Sequence, residues 1–246
     1  MTTNPSTRDR QYLWLCLACS CVTLLGFSST YFGPMLAGAY PKVSPTVHFH
    51  GWTFFLWYLL LPLQAGLIAT RRIRLHRTLG YGSIALAIAM VGTGLVVIGT
   101  QMHLAQQPDG SPFWQQFGPG VFVTLVLFVV FYALALWFRR TRELHKRFML
   151  LASTGALGAA AFRVMSMAIG FDPVAVYGGI VLPNLIIVAA MLVEWRRGSG
   201  VHRVYRWGLP FSLLAEVSVL VATPTAAGQA LSAVLAQLGA AVAPLY

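Results

Sequence analysis

Long apolar runs separated by short basic segments set the pattern of this chain. The runs cover 12–32, 45–70, 80–100, 119–138, 148–170, 180–195 and 208–222, and charge is almost absent inside them. A helix rises about 1.5 Å per residue, so roughly twenty apolar residues cross a hydrocarbon core of about 30 Å. The pattern predicts an all-α fold, a polytopic transmembrane helical bundle of seven spans over 1–222. A further helix is expected over 223–246. Thr223-Pro224 reads as its N-cap and first residue, and Leu231, Val234, Leu235, Leu238 and Val242 form one apolar stripe. That pattern predicts an amphipathic helix on the outer face. Residues 226–245 carry no charge, so an eighth span is the alternative. The first run outlasts the apolar region of a signal peptide, so it reads as a retained signal anchor.

The basic residues orient the bundle. Arg8 and Arg10 precede the first run. Arg71, Arg72, Arg74 and Arg77 separate the second from the third. Arg139, Arg140, Arg142, Lys146 and Arg147 separate the fourth from the fifth, and Arg196, Arg197, Arg203 and Arg206 the sixth from the seventh. Fifteen of the seventeen cations thus fall on one side, with Lys42 on the other and Arg163 inside a run. The positive-inside rule then predicts a cytoplasmic amino terminus and an outer carboxyl terminus. Trp14, Trp137, Trp195 and Trp207 at the basic ends, and Trp52 and Trp114 at the others, suit interfacial anchoring. Composition excludes the soluble classes: 57% of residues are hydrophobic and only 9% charged. A soluble enzyme, a disordered chain and a nucleic-acid binder are all ruled out, and the net +11 is a collar facing anionic headgroups of the lipid bilayer.

Few side chains offer chemistry. Cys16, Cys19 and Cys21 lie in the first span, where small polarizable residues pack well, and no cysteine falls in an outer loop to form a disulfide framework. Leu75-His76-Arg77, Leu144-His145-Lys146 and Val201-His202-Arg203 repeat a short signature, which would place a histidine at the inner end of each of three hairpins. His48, His50 and His103 belong to the outer side. Neutral imidazole ligates haem iron and transition metals, so His50 with His103, and His76 with His145, are candidate ligand pairs, one per leaflet. His48 and His202 are weaker metal candidates, and interfacial hydrogen bonding explains them as well.

Two helix faces reinforce these positions. His50, Phe54, Trp57, Leu61 and Gln64 follow spacings of three and four and share one stripe. Gln64 in mid-bilayer needs a partner, which turns that stripe into the bundle. On a continuous fifth span, His145 and Arg163 share an azimuth at roughly 27 Å separation. Met149, Ala152, Ala156 and Ala159 or Ala160 lie between them. These small residues leave room for a flat ligand or let another helix approach closely. Arg163 is the foremost intramembrane candidate, with Asp172 or a ligand carboxylate as its expected counter-charge. Glu216 is a candidate proton-relay or neutral hydrogen-bonded carboxyl, and Asn184 reads as structural. Glycine-rich phosphate loops, nucleophile elbows, His-Glu-x-x-His and the histidine boxes of desaturases are absent, so no hydrolase or desaturase signature is present.

His50-Gly51, Gln64, Leu75-His76-Arg77-Thr78-Leu79-Gly80 and His145-Lys146-Arg147-Phe148-Met149 with Arg163 resemble a family of bacterial polytopic proteins classed as a domain of unknown function. The likeness covers roughly 46–208. It implies an inner-membrane helical bundle and carries no established activity. A looser similarity links the chain to b561-type di-haem cytochromes, although here the histidines lie closer to the span ends. The expected role is haem b or metal binding through His50, His103, His76 and His145, with Arg163 on a propionate, in electron transfer to quinone or assembly of respiratory-chain components. If the chain is an enzyme, it is a membrane oxidoreductase. The alternative is a cofactor-free transporter with Arg163, Gln64 and Glu216 along its path, or a membrane scaffold.

Overall fold

The computed structural model describes residues 7–198 and 200–246, and among them every regular element is helical. Ten α-helices follow one another: α1 (Thr7–Phe27), α2 (Gly33–Leu36), α3 (Pro45–Ala69), α4 (Ile73–Ala105), α5 (Pro112–Trp137), α6 (Arg142–Gly155), α7 (Gly158–Ile169), α8 (Pro173–Arg196), α9 (Arg203–Ala222) and α10 (Ala226–Val242). A π-helical turn over Ser28–Phe32 joins α1 to α2, so the first apolar rod runs over Arg10–Leu36. The side chain of Arg8 lies outside the described residues. Seven helices are long and apolar enough to cross a bilayer, and the chain is an integral membrane protein in contact with lipid. Ile88, Leu214 and Val221 accordingly stay exposed on the outer faces of the bundle.

Helix starts follow local chemistry. Ser44 Oγ accepts from Thr46 N (3.0 Å) ahead of Pro45, and Asp172 Oδ1 accepts from Val174 N (2.7 Å) ahead of Pro173. Each meets a backbone donor that the first turn leaves free, and proline occupies the position where no donor is needed. The start expected at Thr223-Pro224 lies two residues later. Thr223 N still donates to Val219 O and closes α9, and Thr225 caps α10 through its bond from Gly228 N (3.4 Å).

The count of seven does not match the expected runs one for one. The fifth run is broken into α6 and α7, which meet at a 51° bend, and reaches span length only as a pair. Glycines packed on different neighbours flank the break. A Cβ on Gly155 would lie 3.2 Å from Leu127 Cβ of α5, and one on Gly158 3.4 Å from Gly179 O of α8. The shared azimuth of His145 and Arg163 assumed a continuous helix, and the bend removes it.

Helix α10 is long and apolar enough to be the seventh of the set, and it packs against α4 around Ile98, Gly99 and Met102. Helices α3 and α4 run antiparallel with His50 level with Thr93, which puts Thr46 near Ile98. Thr46 Oγ1 donates to Leu245 O, Gln101 Nε2 donates to Tyr246 OH (2.8 Å), and Gln229 lies in a crevice with Ala105 and Gln106. Gly239 crosses Gly99 with its backbone in contact, and Leu235 and Ala236 pack on Ile98 and Met102.

The main core lies toward the other end, around Trp57, Phe128, Tyr132, Leu150 and Leu151. Trp57 meets Phe128 and Tyr132 edge-on at 5.0 and 5.3 Å, and its indole donates to Ser153 Oγ (3.2 Å). The cationic collar surrounds this end. Arg71, Arg72, Arg74, Arg77, Arg139, Arg140, Arg196, Arg197, Arg203 and Arg206 are exposed, whereas Arg147 is buried.

Candidate functional site

A cavity of about 730 Å³ occupies the half of the bundle away from the collar, walled by residues of α1, α3, α4, α5, α7, α8 and α9. Phe27, Phe54, Phe55, Phe113, Trp114 and Phe162 supply an aromatic wall, and Gly94, Gly120, Gly158 and Ala159 give it room. Its polar side chains include His50, Arg163, Glu216, Asp172, Gln116, the phenols of Tyr31, Tyr40 and Tyr58, and the hydroxyls of Thr23, Ser111 and Thr124. A mostly apolar concavity with a small number of convergent polar groups is the usual form of a small-molecule site.

Arg163 holds the least satisfied position. Its Nη1 donates to Ala159 O (2.9 Å), one turn back, and its guanidinium carbon stands 4.4 Å from the centroid of the Phe27 ring. Its Nε is buried without an acceptor, and no carboxylate lies within ion-pair distance among the described residues. Asp172, the expected counter-charge, spends one oxygen on the cap of α8 and makes no ion pair with it. The Phe27 ring satisfies part of the charge through its quadrupole, but a ring face accepts no in-plane N–H. The neighbouring phenol of Tyr40, in the loop between α2 and α3, is pushed above its ordinary value by burial, against the opposing pull of Arg163.

His50 is oriented by its surroundings. Thr93 Oγ1 donates to Ala89 O (2.7 Å), so it accepts from His50 Nδ1–H (3.3 Å). The proton on Nδ1 leaves Nε2 with a free lone pair, the form in which histidine accepts a hydrogen bond or ligates a metal. Glu216, 5% exposed, forms another part of the wall. Asn184 Nδ2 donates to its Oε2 (2.9 Å) and to Ile180 O (2.8 Å). Asn184, expected to be structural, thus holds a carboxyl of the cavity wall.

The other candidates stand elsewhere. His103, half-buried, lies nine residues beyond Gly94, which faces His50; that is roughly 14 Å along α4, too far for the two imidazoles to share one iron. His48 Nδ1 bonds Tyr31 OH (3.0 Å) within a cluster that includes Tyr40. His76 and His145 come into electrostatic range of each other at the collar end. With the Gln64 amide oxygen accepting from Gly80 N (2.9 Å), its nitrogen donates to His76 Nδ1 (2.6 Å), so Gln64 serves His76 and not the cavity. That bond places the His76 proton on Nε2, the nitrogen a metal would need. His145 is the reverse: its Nδ1 donates to Ala135 O (2.8 Å) and its Nε2 is free. His202 Nδ1 caps α9 by accepting from Val204 N (3.2 Å). Among the described residues, no three of His, Cys, Asp and Glu are grouped to hold a metal ion. Cys16 and Cys19 are buried thiols and Cys21 is exposed.

Several features are not apparent in the sequence. Tyr31, Tyr40, Phe27 and Thr93 join the site through contacts between elements, which no local spacing reveals. The buried pairing of Arg147 with Glu143 and Glu194 had one signal: two of only six acidic residues sit inside the most cationic part of the chain. Comparison with protein-family models, with curated proteins and with solved structures finds no match for this chain.

Proposed function

We propose that this integral membrane protein binds an apolar molecule bearing an acidic group inside the bilayer-spanning bundle, with Arg163 as the anchor for the acid. One observation carries the reading: a half-buried arginine whose buried Nε has no acceptor and which has no carboxylate partner among the described residues, at the wall of an aromatic cavity of about 730 Å³. A cation taken out of water without a partner is costly, and an anionic ligand group removes that cost. His50 Nε2 supplies a second polar contact. The distribution of arginines supports an orientation with the collar in the cytoplasm.

Titration of dodecanoate and dodecanol into detergent-solubilised protein, followed by tryptophan fluorescence with Trp114 in the cavity wall, tests the proposal. A charge-assisted hydrogen bond contributes about 1.5–3 kcal/mol, so Arg163→Leu weakens the acid by roughly ten- to a hundredfold and leaves the alcohol unchanged. Equal binding of acid and alcohol to the native protein refutes the reading.

A second reading is favoured by the His50 tautomer. Haem b is itself a flat apolar acid, and His50 Nε2 and Arg163 share one cavity wall as an axial ligand and a propionate partner would. His103 is not the second ligand in that arrangement. Electron transfer to quinone or service to a respiratory complex would follow from such a cofactor. Purified protein with a Soret band that vanishes in His50→Ala supports this reading, and a colourless preparation that refuses added haemin excludes it.

A further inference from the structure

The cavity has a second unmet polar group, and it narrows the ligand class. Glu216 is 5% exposed and lines the cavity. Asn184 satisfies one oxygen, Oε2, at 2.9 Å, and the Asn184 amide is itself held by its second bond to Ile180 O. Oε1 has no hydrogen-bond partner among the described residues. Arg163, the obvious partner by charge, forms no ion pair with Glu216 although both border the same space. The two groups are thus more than 4.0 Å apart, and the cavity they share is lined as well by Ala156, Gly158 with the Thr124 methyl against it, and Ile180.

We propose that the ligand is bifunctional, with an acid group on Arg163 and a hydroxyl on Glu216 Oε1, separated by an apolar body that spans the cavity. This inference rests on the proposed acid-binding function and adds the second contact. A hydroxyl is the group that fits, because it donates to a carboxylate and accepts from a protonated carboxyl. It satisfies Glu216 in either state. A second acid would repel a carboxylate at that position, and a plain alkyl end would leave Oε1 buried and unmet. The protein is thus a receptor for hydroxylated amphiphilic acids, and it discriminates through the penalty that a partner-less carboxyl imposes on the wrong ligand.

The test uses plain fatty acids and their ω-hydroxy counterparts with eight to sixteen carbons, titrated against the full-length native protein in lipid nanodiscs. The hydroxy acid is expected to bind about tenfold tighter than the plain acid at the chain length that reaches from Arg163 to Glu216, with the advantage fading on either side. Glu216→Leu removes that advantage by lifting the penalty on the plain acid, whose affinity rises toward that of the hydroxy acid, and Arg163→Leu weakens both series alike. Equal affinities for the two series at every length overturn the bifunctional ligand while leaving acid binding intact. Failure of both series to bind overturns the two proposals together. The native-protein comparison needs no variant, so it decides the matter even if Glu216→Leu fails to fold.

Discussion

Removing the Glu194 carboxylate tests what holds the collar end together. Arg147 is 7% exposed, and Glu194 Oε1 accepts from its Nε (2.8 Å) and its Nη2, while Glu143 Oε2 accepts from Nη1 (2.6 Å). Glu194 Oε2 also accepts from His202 N (2.9 Å) at the entry to α9. One carboxylate thus ties α6, α8 and α9. Breaking a buried pair by deleting one partner costs about 3–5 kcal/mol, because the other charge stays buried. Glu143 still neutralises part of Arg147, but its side chain is 48% exposed, so the lower end of that range applies to Glu194→Leu. With the lost acceptor for His202 N, the expected cost is about 3 kcal/mol, or roughly 6–12 °C in Tm for a chain of this size. Arg147→Met leaves Glu194 unpaired and costs a similar amount. The double variant Glu194→Leu/Arg147→Met removes both charges and leaves apolar stems, so it is expected to lose only about 1 kcal/mol. Thermal unfolding of the four proteins in one detergent measures this as a coupling of at least about 2 kcal/mol. Additive losses in the double variant, or a Glu194→Leu protein within one degree of native, would refute the account.

Two further outcomes follow from the same physics. Arg163→Met keeps the apolar stem and removes a half-buried charge that has no carboxylate partner among the described residues, so the ligand-free variant is expected to melt a few degrees above native, whereas added dodecanoate stabilises only the native protein; a variant that melts lower contradicts the unpaired-charge argument. Burial, reinforced by Arg147, holds the His202 imidazole below its ordinary value of 6.5. Just below pH 6.5 the unfolded chain binds a proton that the folded chain refuses, so this contribution to stability is complete above pH 6.5 and shrinks on acidification toward the lowered folded value. His202→Asn retains a capping acceptor without titrating, and it should flatten the fall in Tm between pH 7.5 and 5.5; an unchanged slope assigns that fall to other groups.

The elements that could be read from the sequence are those whose cause is local. A run such as 119–138 is apolar enough to declare its environment by itself, and Ser44-Pro45 declares a helix start because the cap and the fixed proline dihedral act within three residues. The break at 156–157 was not legible, because glycines at 155 and 158 are compatible with a straight helix, and their neighbours on α5 and α8 come from distant parts of the chain. Nor was the path of α10, since an uncharged stretch is equally at home across a bilayer or along its edge. What seats it against α4 is Gly239 meeting Gly99, a pairing 140 residues apart. For the site, Arg163, His50 and Glu216 stood out because a polar group in an apolar run needs a reason wherever it lands. Their partners did not. Gln64 and His50 share a helix stripe, yet one turns to His76 and the other to Thr93, because they lie about 20 Å apart along α3 at opposite ends of the bundle.

The two interior arginines provide the sharpest internal comparison, because the same side chain is treated in two ways. Arg147 receives two carboxylates, a backbone carbonyl and the face of Tyr205 at 5.8 Å. Every requirement of a buried guanidinium is met inside the fold, and such a residue does structural work. Arg163 receives one carbonyl and one aromatic face, and its Nε is left bare. Lack of acid nearby does not explain the difference. Asp172 lies on the same cavity and is turned to cap α8, and Glu216 lies on it too and is held by Asn184. The fold assigns both carboxylates to other partners and keeps the cation free. A partly buried charge without a carboxylate partner lowers stability, and that cost is what the acidic ligand proposed above would remove.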